Sequence, residues 1–138
     1  MCLAVLAAAT LFGVLHRRRN GRIRVRGRDG GIRLTAAELG EPLGERATLV
    51  QFSSAFCAPC RATRRTLAEV ARMVDGVAHV EIDAESHLEL VRRLGIVKTP
   101  TVLVLDRHGE ITRRAAGQPR RADVIAALGT AVGTAVEE

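Results

Sequence analysis

The sequence predicts an α/β fold: a central mixed β-sheet flanked by helices, with an apolar helix ahead of it. Three observations predict it. From Ala47 onward, apolar runs with strand character alternate with helical patterns. Glycine-containing breakers such as Asp75-Gly76 and Gly117-Gln118-Pro119 separate them. The final two runs, Thr101–Leu105 and Ile111–Ala115, are joined only by a tight turn, whereas the earlier runs are joined through helices. The order is β-α-β-α-β-β-α: parallel strands joined by crossovers, closed by an antiparallel hairpin and a last helix. The chain has 138 residues, enough for one domain with a core of its own. Trp and Tyr are absent, so Val, Leu, Ile and Ala must build that core.

The elements follow in order. Leu3–Leu15 is almost wholly apolar and stops at His16-Arg17-Arg18-Arg19. No positive side chain precedes the run, which argues against a cleaved signal peptide. Residues 1–16 are expected to be a membrane anchor, 17–32 a basic juxtamembrane segment, and 33–138 the folded domain. The run is shorter than the roughly 20 residues of a full span, and snorkelling arginines are expected to cover the difference. The alternative is a buried or frayed helix. With the arginines on the inner side, the positive-inside rule places the domain in the cytoplasm; an extracytoplasmic domain is the other reading. Cys2 is expected to be incidental to the apolar segment.

The net charge of +6 is local. Eight arginines and the single acid Asp29 fall within residues 17–33, while the rest of the chain is nearly neutral. A basic block beside an apolar segment is not the evenly basic domain of a nucleic-acid binder, so no nucleic acid is expected. Arg22–Arg26 alternates charged and apolar residues, as a strand or a basic linker would. Thr35–Leu39 opens with a capping-box pattern, and Glu41-Pro42-Leu43-Gly44 closes it.

Ala47–Phe52 reads as a strand and residues 59–74 as a helix with Leu67, Val70, Ala71 and Val74 on one face. Val77–Asp83 alternates Val77, His79 and Glu81 against Ala78, Val80 and Ile82, a half-buried strand. Glu85–Leu94 reads as one helix stopped by Gly95, and Thr101–Leu105 as a fully buried strand. Arg120–Val136 reads as an amphipathic helix with Val124, Ile125 and Leu128 inward.

Cys57-Ala58-Pro59-Cys60 lies at a strand-to-helix junction. Two thiols at this spacing allow three uses: redox exchange, a structural disulfide, or half of a zinc site. Zinc wants four ligands, and His79, His87 and His108 stand singly in the sequence, so no metal is expected. At a helix N-terminus the free amides and macrodipole stabilise a thiolate on Cys57. Cys60, one turn on, is more shielded and is suited to resolve a mixed disulfide. Pro59 sits in the first turn, where its missing amide costs little.

Three features together resemble the thioredoxin superfamily, over roughly residues 33–136. They are Leu49-Val50-Gln51-Phe52 leading into Cys57-Ala58-Pro59-Cys60-Arg61, the loop Gly95-Ile96-Val97-Lys98-Thr99-Pro100-Thr101, and Gly109-Glu110 followed by Gly117. The resemblance implies a thioredoxin fold and a Cys57–Cys60 redox disulfide, with Cys57 as nucleophile and Cys60 as resolving thiol. It implies a cis bond before Pro100 and a substrate edge made by Thr99, Pro100, Gly117 and Phe56. Protein thiols and disulfides are the implied partners, with an external electron donor and no cofactor. Together with the apolar N-terminus it suggests a tethered reductase similar to TlpA-like oxidoreductases. The other readings are an outward-facing reductase in cytochrome c maturation and a redox-inactive binding module.

Two departures from the family pattern stand out. Gln51 occupies the place of a buried acid beneath the resolving cysteine, and Gln accepts no proton as a carboxylate would. His79, Glu81 or water could substitute; the plainer reading of His79 and Glu81 is a solvated strand face. Phe56 and Ser53 stand where the family often has tryptophans, and Ala58 where it often has glycine.

Overall fold

The computed structural model describes residues 1–24 and 29–133. Helix α1 (Cys2–Arg19) leads to a short strand β1 (Ile23–Arg24), then α2 (Ala36–Leu39), β2 (Ala47–Ser53), α3 (Ala58–Met73) and β3 (Val77–Asp83). A 3-10 turn (Ala84–Ser86) and α4 (Leu88–Arg93) precede the hairpin β4 (Thr101–Asp106) and β5 (Ile111–Ala116), and α5 (Arg121–Gly133) follows. The sheet runs β1-β5-β4-β2-β3. Strands β2 and β3 are parallel, and β4 lies antiparallel to both β2 and β5. The mixed sheet flanked by helices is the expected architecture. β1 adds an edge strand ahead of residue 33, with Ile23 opposite Ala115. The expected strand 22–26 is described only to Arg24, and the end of the expected last helix beyond Gly133 lies outside the described residues.

The two-residue period of a strand divides β2 between two cores. Leu49 faces α3 and α5, packing with Leu67, Val70, Val102, Val124 and Leu128. Val50 and Phe52 face the other side, with Leu34, Leu39, Ile82, Leu94 and Leu103. The same period puts Gln51 on the α3 side of the sheet. In β3 it puts His79 and Glu81 there too, because Gln51 pairs with Glu81 and Leu49 with His79 across the parallel ladder.

Several local expectations change. The capping box at α2 forms, with Thr35 accepting the Glu38 N–H and Glu38 accepting the Thr35 N–H, but the helix ends one residue earlier than expected, at Gly40 in the left-handed region. The expected helix 85–94 is broken. Asp83 accepts from the Glu85 N–H at 3.0 Å and the Ser86 hydroxyl at 2.8 Å, which tightens the first turn to a 3-10 turn. His87, at φ −130° and ψ 49°, separates that turn from α4. In α5, Val124 and Leu128 are buried but Ile125 is 40% exposed. At 100° per residue it turns past the edge of the inward stripe.

The membrane expectation is overturned. Among the described residues no helix is long and apolar enough to cross a membrane. The last turn of α1 is His16–Arg19, so Leu3–Leu15 alone supplies the apolar length. That is roughly 20 Å of helix against about 30 Å of hydrocarbon. The anchor assigned to residues 1–16 falls, and with it the cytoplasmic placement derived from it.

One buried ion pair joins the sheet to the segment before α2. Arg114 on β5, 7% exposed, donates through Nε and Nη2 to Asp29 at 2.9 and 2.7 Å. Its Nη1 donates to the Leu94 carbonyl at 2.7 Å. Asp29 is therefore a structural partner of the hairpin rather than a stray acid in a basic block.

Candidate active site

Strand β2 ends at Ser53 and the chain turns through Ser54-Ala55-Phe56 into α3, whose N-cap is Cys57. An N-cap residue normally supplies a side-chain oxygen to the first free amides; here a sulfur does it. Cys57 Sγ accepts the Cys60 N–H at 3.2 Å. Pro59 falls in the first turn, where no amide is needed. The Ala55 N–H donates to Glu85 at 3.2 Å, which ties the turn to the segment after β3. Phe56 has φ +56°, a conformation that costs a residue with a Cβ about 1–2 kcal/mol, and its ring stands fully exposed beside Cys57.

The cysteines are bonded, with S–S 2.17 Å and Cα–Cα 5.2 Å. They are not equivalent. Cys57 is half-buried, while Cys60 is 1% exposed. Opposite them lies the loop before β4. The Thr99–Pro100 peptide is cis. Thr99 Oγ1 approaches Cys57 Sγ at 4.0 Å and shares a hydrogen bond with Ser54 at 2.7 Å. Two residues before Thr99, Val97 is 90% exposed, so Val97 and Phe56 are exposed apolar side chains in the two loops that meet at the disulfide. Val97 and Ser54 were not singled out from sequence; Val97 follows the apolar Ile96, and nothing in the sequence tells which of the two is buried.

Gly117 is buried, and its N–H donates to the Pro100 carbonyl at 2.7 Å. Its φ is +100° and a Cβ there would lie 2.3 Å from Asn20 Oδ1. The space that the missing side chain leaves is thus taken by the joint between α1 and β1. Asn20-Gly21 is thus part of the site's surroundings.

Beneath the disulfide a polar chain runs through the α3 face of the sheet. Gln51, fully buried, donates through Nε2 to the Cys60 carbonyl at 2.8 Å and to Ser53 Oγ at 3.0 Å. Its Oε1 lies 3.3 Å from His79 Nε2. Ser53 Oγ donates to Glu81 at 3.3 Å, and Arg64 grips Glu81 through two bonds of 2.7 and 2.8 Å. Because both Gln51 amide hydrogens are used, Oε1 must accept, and His79 must carry a proton on Nε2. Turning the amide over would set Oε1 against the Cys60 carbonyl. His79 and Glu81 are therefore not merely a solvated strand face: both are bonded into the support of Cys60. Burial holds the His79 pKa below its ordinary value, and Arg64 adds to that, while the Glu81 and Glu41 charges oppose it.

Among the described residues no group of three or more His, Cys, Asp or Glu could hold a metal ion. The arrangement is suited to sulfur exchange: a half-exposed sulfur at a helix N-cap, a buried second sulfur bonded to it, and an adjacent loop edge with apolar surroundings.

Comparison with known proteins agrees with this geometry. The Thioredoxin family model matches residues 33–130. Thioredoxin from Bacillus subtilis (strain 168) is 28% identical over 93 residues, covering 66% of this chain and 88% of that protein. Thioredoxin H5 from Oryza sativa subsp. japonica is 26% identical over 72 residues, 52% of this chain and 53% of the relative. Thioredoxin domain-containing protein 2 from Homo sapiens is 36% identical over 58 residues, 42% of this chain. The chain spans about half of the rice protein and 10% of the human one. Among solved structures, chloroplastic thioredoxin z superposes with a TM-score of 0.57 at 25% identity, covering 64% of this chain and 80% of that one. A mutant thioredoxin from Halobacterium salinarum NRC-1 superposes with a TM-score of 0.58 at 18% identity, covering 64% and 76%, which speaks to fold alone.

Proposed function

The chain belongs to the thioredoxin family, and on that premise we propose that it is a thiol–disulfide oxidoreductase acting on protein disulfides through Cys57 and Cys60. The observation that carries the reading is the unequal exposure of a bonded pair at the start of α3. In the reduced protein, the Cys57 thiolate attacks one sulfur of a substrate disulfide. A mixed disulfide forms and the other substrate sulfur leaves as a thiol after taking up a proton. The Cys60 thiolate then attacks Cys57 Sγ, freeing the second substrate thiol and closing the Cys57–Cys60 bond. Two electrons and two protons pass to the substrate, and an external thiol reductant restores the pair. Exposed Cys57 is the sulfur a substrate can reach, and buried Cys60 meets only Cys57.

Thr99, Pro100 and Phe56 form the substrate edge in this reading, with Gly117 behind Pro100. An extended substrate strand beside the Thr99–Pro100 backbone uses the main-chain recognition of β-augmentation. Phe56 and Val97 supply exposed apolar area for it.

The test is reduction of insulin disulfides by the full chain, with dithiothreitol as the electron source. Wild-type protein accelerates the reaction, and Cys57→Ser reduces the rate to that of dithiothreitol alone. Full activity in Cys57→Ser would sink the reading.

A further inference from the structure

The joint between α1 and β1 is locked against the edge of the disulfide site. The Gly21 N–H donates to the Ala116 carbonyl at 2.8 Å, and a Cβ on Gly21 would lie 1.9 Å from the Gln118 carbonyl oxygen. Asn20 covers Gly117 and accepts from Lys98 Nζ. Beyond the joint, the last turns of α1 and the start of α5 line one hollow. Between them lies a cleft of about 740 Å³ with Arg17 and Arg18 on one wall, Arg120 and Arg121 on the other, and Val14 and Pro119 among its apolar surface. No carboxylate is among its lining residues. Arg121 also reaches Glu69 at 3.2 Å, an exposed pair that neutralises little of the cleft's charge. A second hollow on the far side of Arg120 is different, because Asp123 lines it together with Arg22, Arg24 and Arg113.

The cleft continues the disulfide site. Gln118 and Pro119 line it and directly follow Gly117, which is bonded to Pro100. Thr99, on the other side of that proline, lies against Cys57. Asn20, which covers Gly117, also lines the cleft, so a polypeptide with its disulfide at Cys57 that passes the Thr99–Pro100 loop and runs over Asn20 arrives between the arginines. Four arginines that line one hollow repel one another, and a bound anion relieves that repulsion. Their planar forks match carboxylates in particular.

We propose that this cleft is a substrate subsite for acidic polypeptide: Asp or Glu side chains on the stretch of a protein substrate that leaves its disulfide over Asn20. The inference rests on the thiol–disulfide reading and adds the substrate class to it. The joint at Asn20-Gly21 makes α1 a specificity element, since it sets Arg17 and Arg18 opposite Arg120 and Arg121.

The test uses the full chain, dithiothreitol as reductant, and three disulfide peptides with one central sequence and flanks of Glu, of Gly/Ser or of Lys. Hydroxyethyl disulfide serves as a small neutral substrate. At low salt the Glu-flanked peptide is expected to be reduced with about tenfold higher kcat/KM than the Gly/Ser peptide, and the Lys peptide more slowly than either; at about 0.5 M salt the differences fall below about twofold. Arg17→Glu/Arg18→Glu is expected to bring the Glu-to-Gly/Ser ratio to about one, and Arg17→Lys/Arg18→Lys to keep most of it. Arg120→Glu, on the opposite wall, gives the same loss of preference if the first variant does not fold. Equal rates for the three peptides while hydroxyethyl disulfide is reduced would overturn the subsite and leave the enzyme reading intact. A Glu preference that survives both charge reversals overturns it as well. Tighter binding of short duplex DNA than of the Glu peptide would assign the cleft to nucleic acid instead. If wild-type protein reduces none of the four substrates, it is the thiol–disulfide reading that fails.

Discussion

Gln51 is the position at which structure and chemistry press hardest on one another, and two substitutions there make opposite demands. Its Nε2 holds the Cys60 carbonyl at 2.8 Å and Ser53 at 3.0 Å inside a fully buried site. Gln51→Leu fills nearly the same volume and removes both of these bonds and the one between Oε1 and His79. At about 1 kcal/mol per bond the loss is about 3 kcal/mol. In a domain of this size that lowers Tm by about 10 °C. Gln51→Glu behaves otherwise. An ionised carboxylate would set a negative oxygen against the Cys60 carbonyl, whereas a protonated one can donate in place of the amide. Burial and that carbonyl therefore raise the pKa of the introduced carboxyl above its unfolded value of about 4.3. A raised folded pKa gives stability that is present below the unfolded value and lost as pH rises through the folded one. The Tm difference from wild type should be small near pH 4 and grow to about 10 °C by pH 8, for a loss of about 3 kcal/mol. Differential scanning fluorimetry of the three proteins across that range measures it. A Tm difference flat from pH 4 to 8 in Gln51→Glu is the outcome that contradicts a raised carboxyl pKa at this site. It would mean that the carboxylate ionises against a protonated His79, and that the amide orientation deduced from the network is not what holds Cys60.

Further predictions follow from the same packing. His79 has its pKa held below its ordinary value of 6.5, chiefly by burial. A depressed histidine stabilises the fold while neutral, so its contribution is present above 6.5 and is lost as pH falls from there through the lower folded value. Wild-type Tm should therefore drop between pH 7 and 5 by more than that of His79→Gln, measured by thermal melts. Asp29→Ala leaves the Arg114 guanidinium buried without its carboxylate and should cost about 3–5 kcal/mol in urea unfolding, whereas Asp29→Ala/Arg114→Met should recover most of that loss.

The parts of the site written in contiguous residues were legible in the sequence. The strand before Cys57, the helix after Cys60 and the hairpin each carry a local period or a breaker, and the loop into Pro100 was marked by its resemblance to the family's loop. What was not legible depends on long-range closure. Nothing near Asp29 signals Arg114, and nothing near Asn20 signals Gly117; each pair meets only when β5 is in place. His79 and Glu81 were visible as one side of an alternating strand, but the side they take is set by the parallel register with β2, which brings His79 to Leu49 and Glu81 to Gln51. The apolar N-terminus misled for another reason. A run of apolar residues reports hydrophobicity, while crossing a membrane also needs length, and α1 spends its last turn on His16 and three arginines.

The central claim is that Cys57, and not Cys60, is the sulfur that meets substrate. It is tested most directly by trapping. Reduced Cys60→Ser and Cys57→Ser proteins are each mixed with a disulfide substrate, quenched with an alkylating agent and mapped by peptide mass spectrometry. A stable mixed disulfide is expected at Cys57 in Cys60→Ser and almost none in Cys57→Ser, where buried Cys60 is alkylated only after unfolding. Mixed disulfide at Cys60 in comparable yield would contradict it.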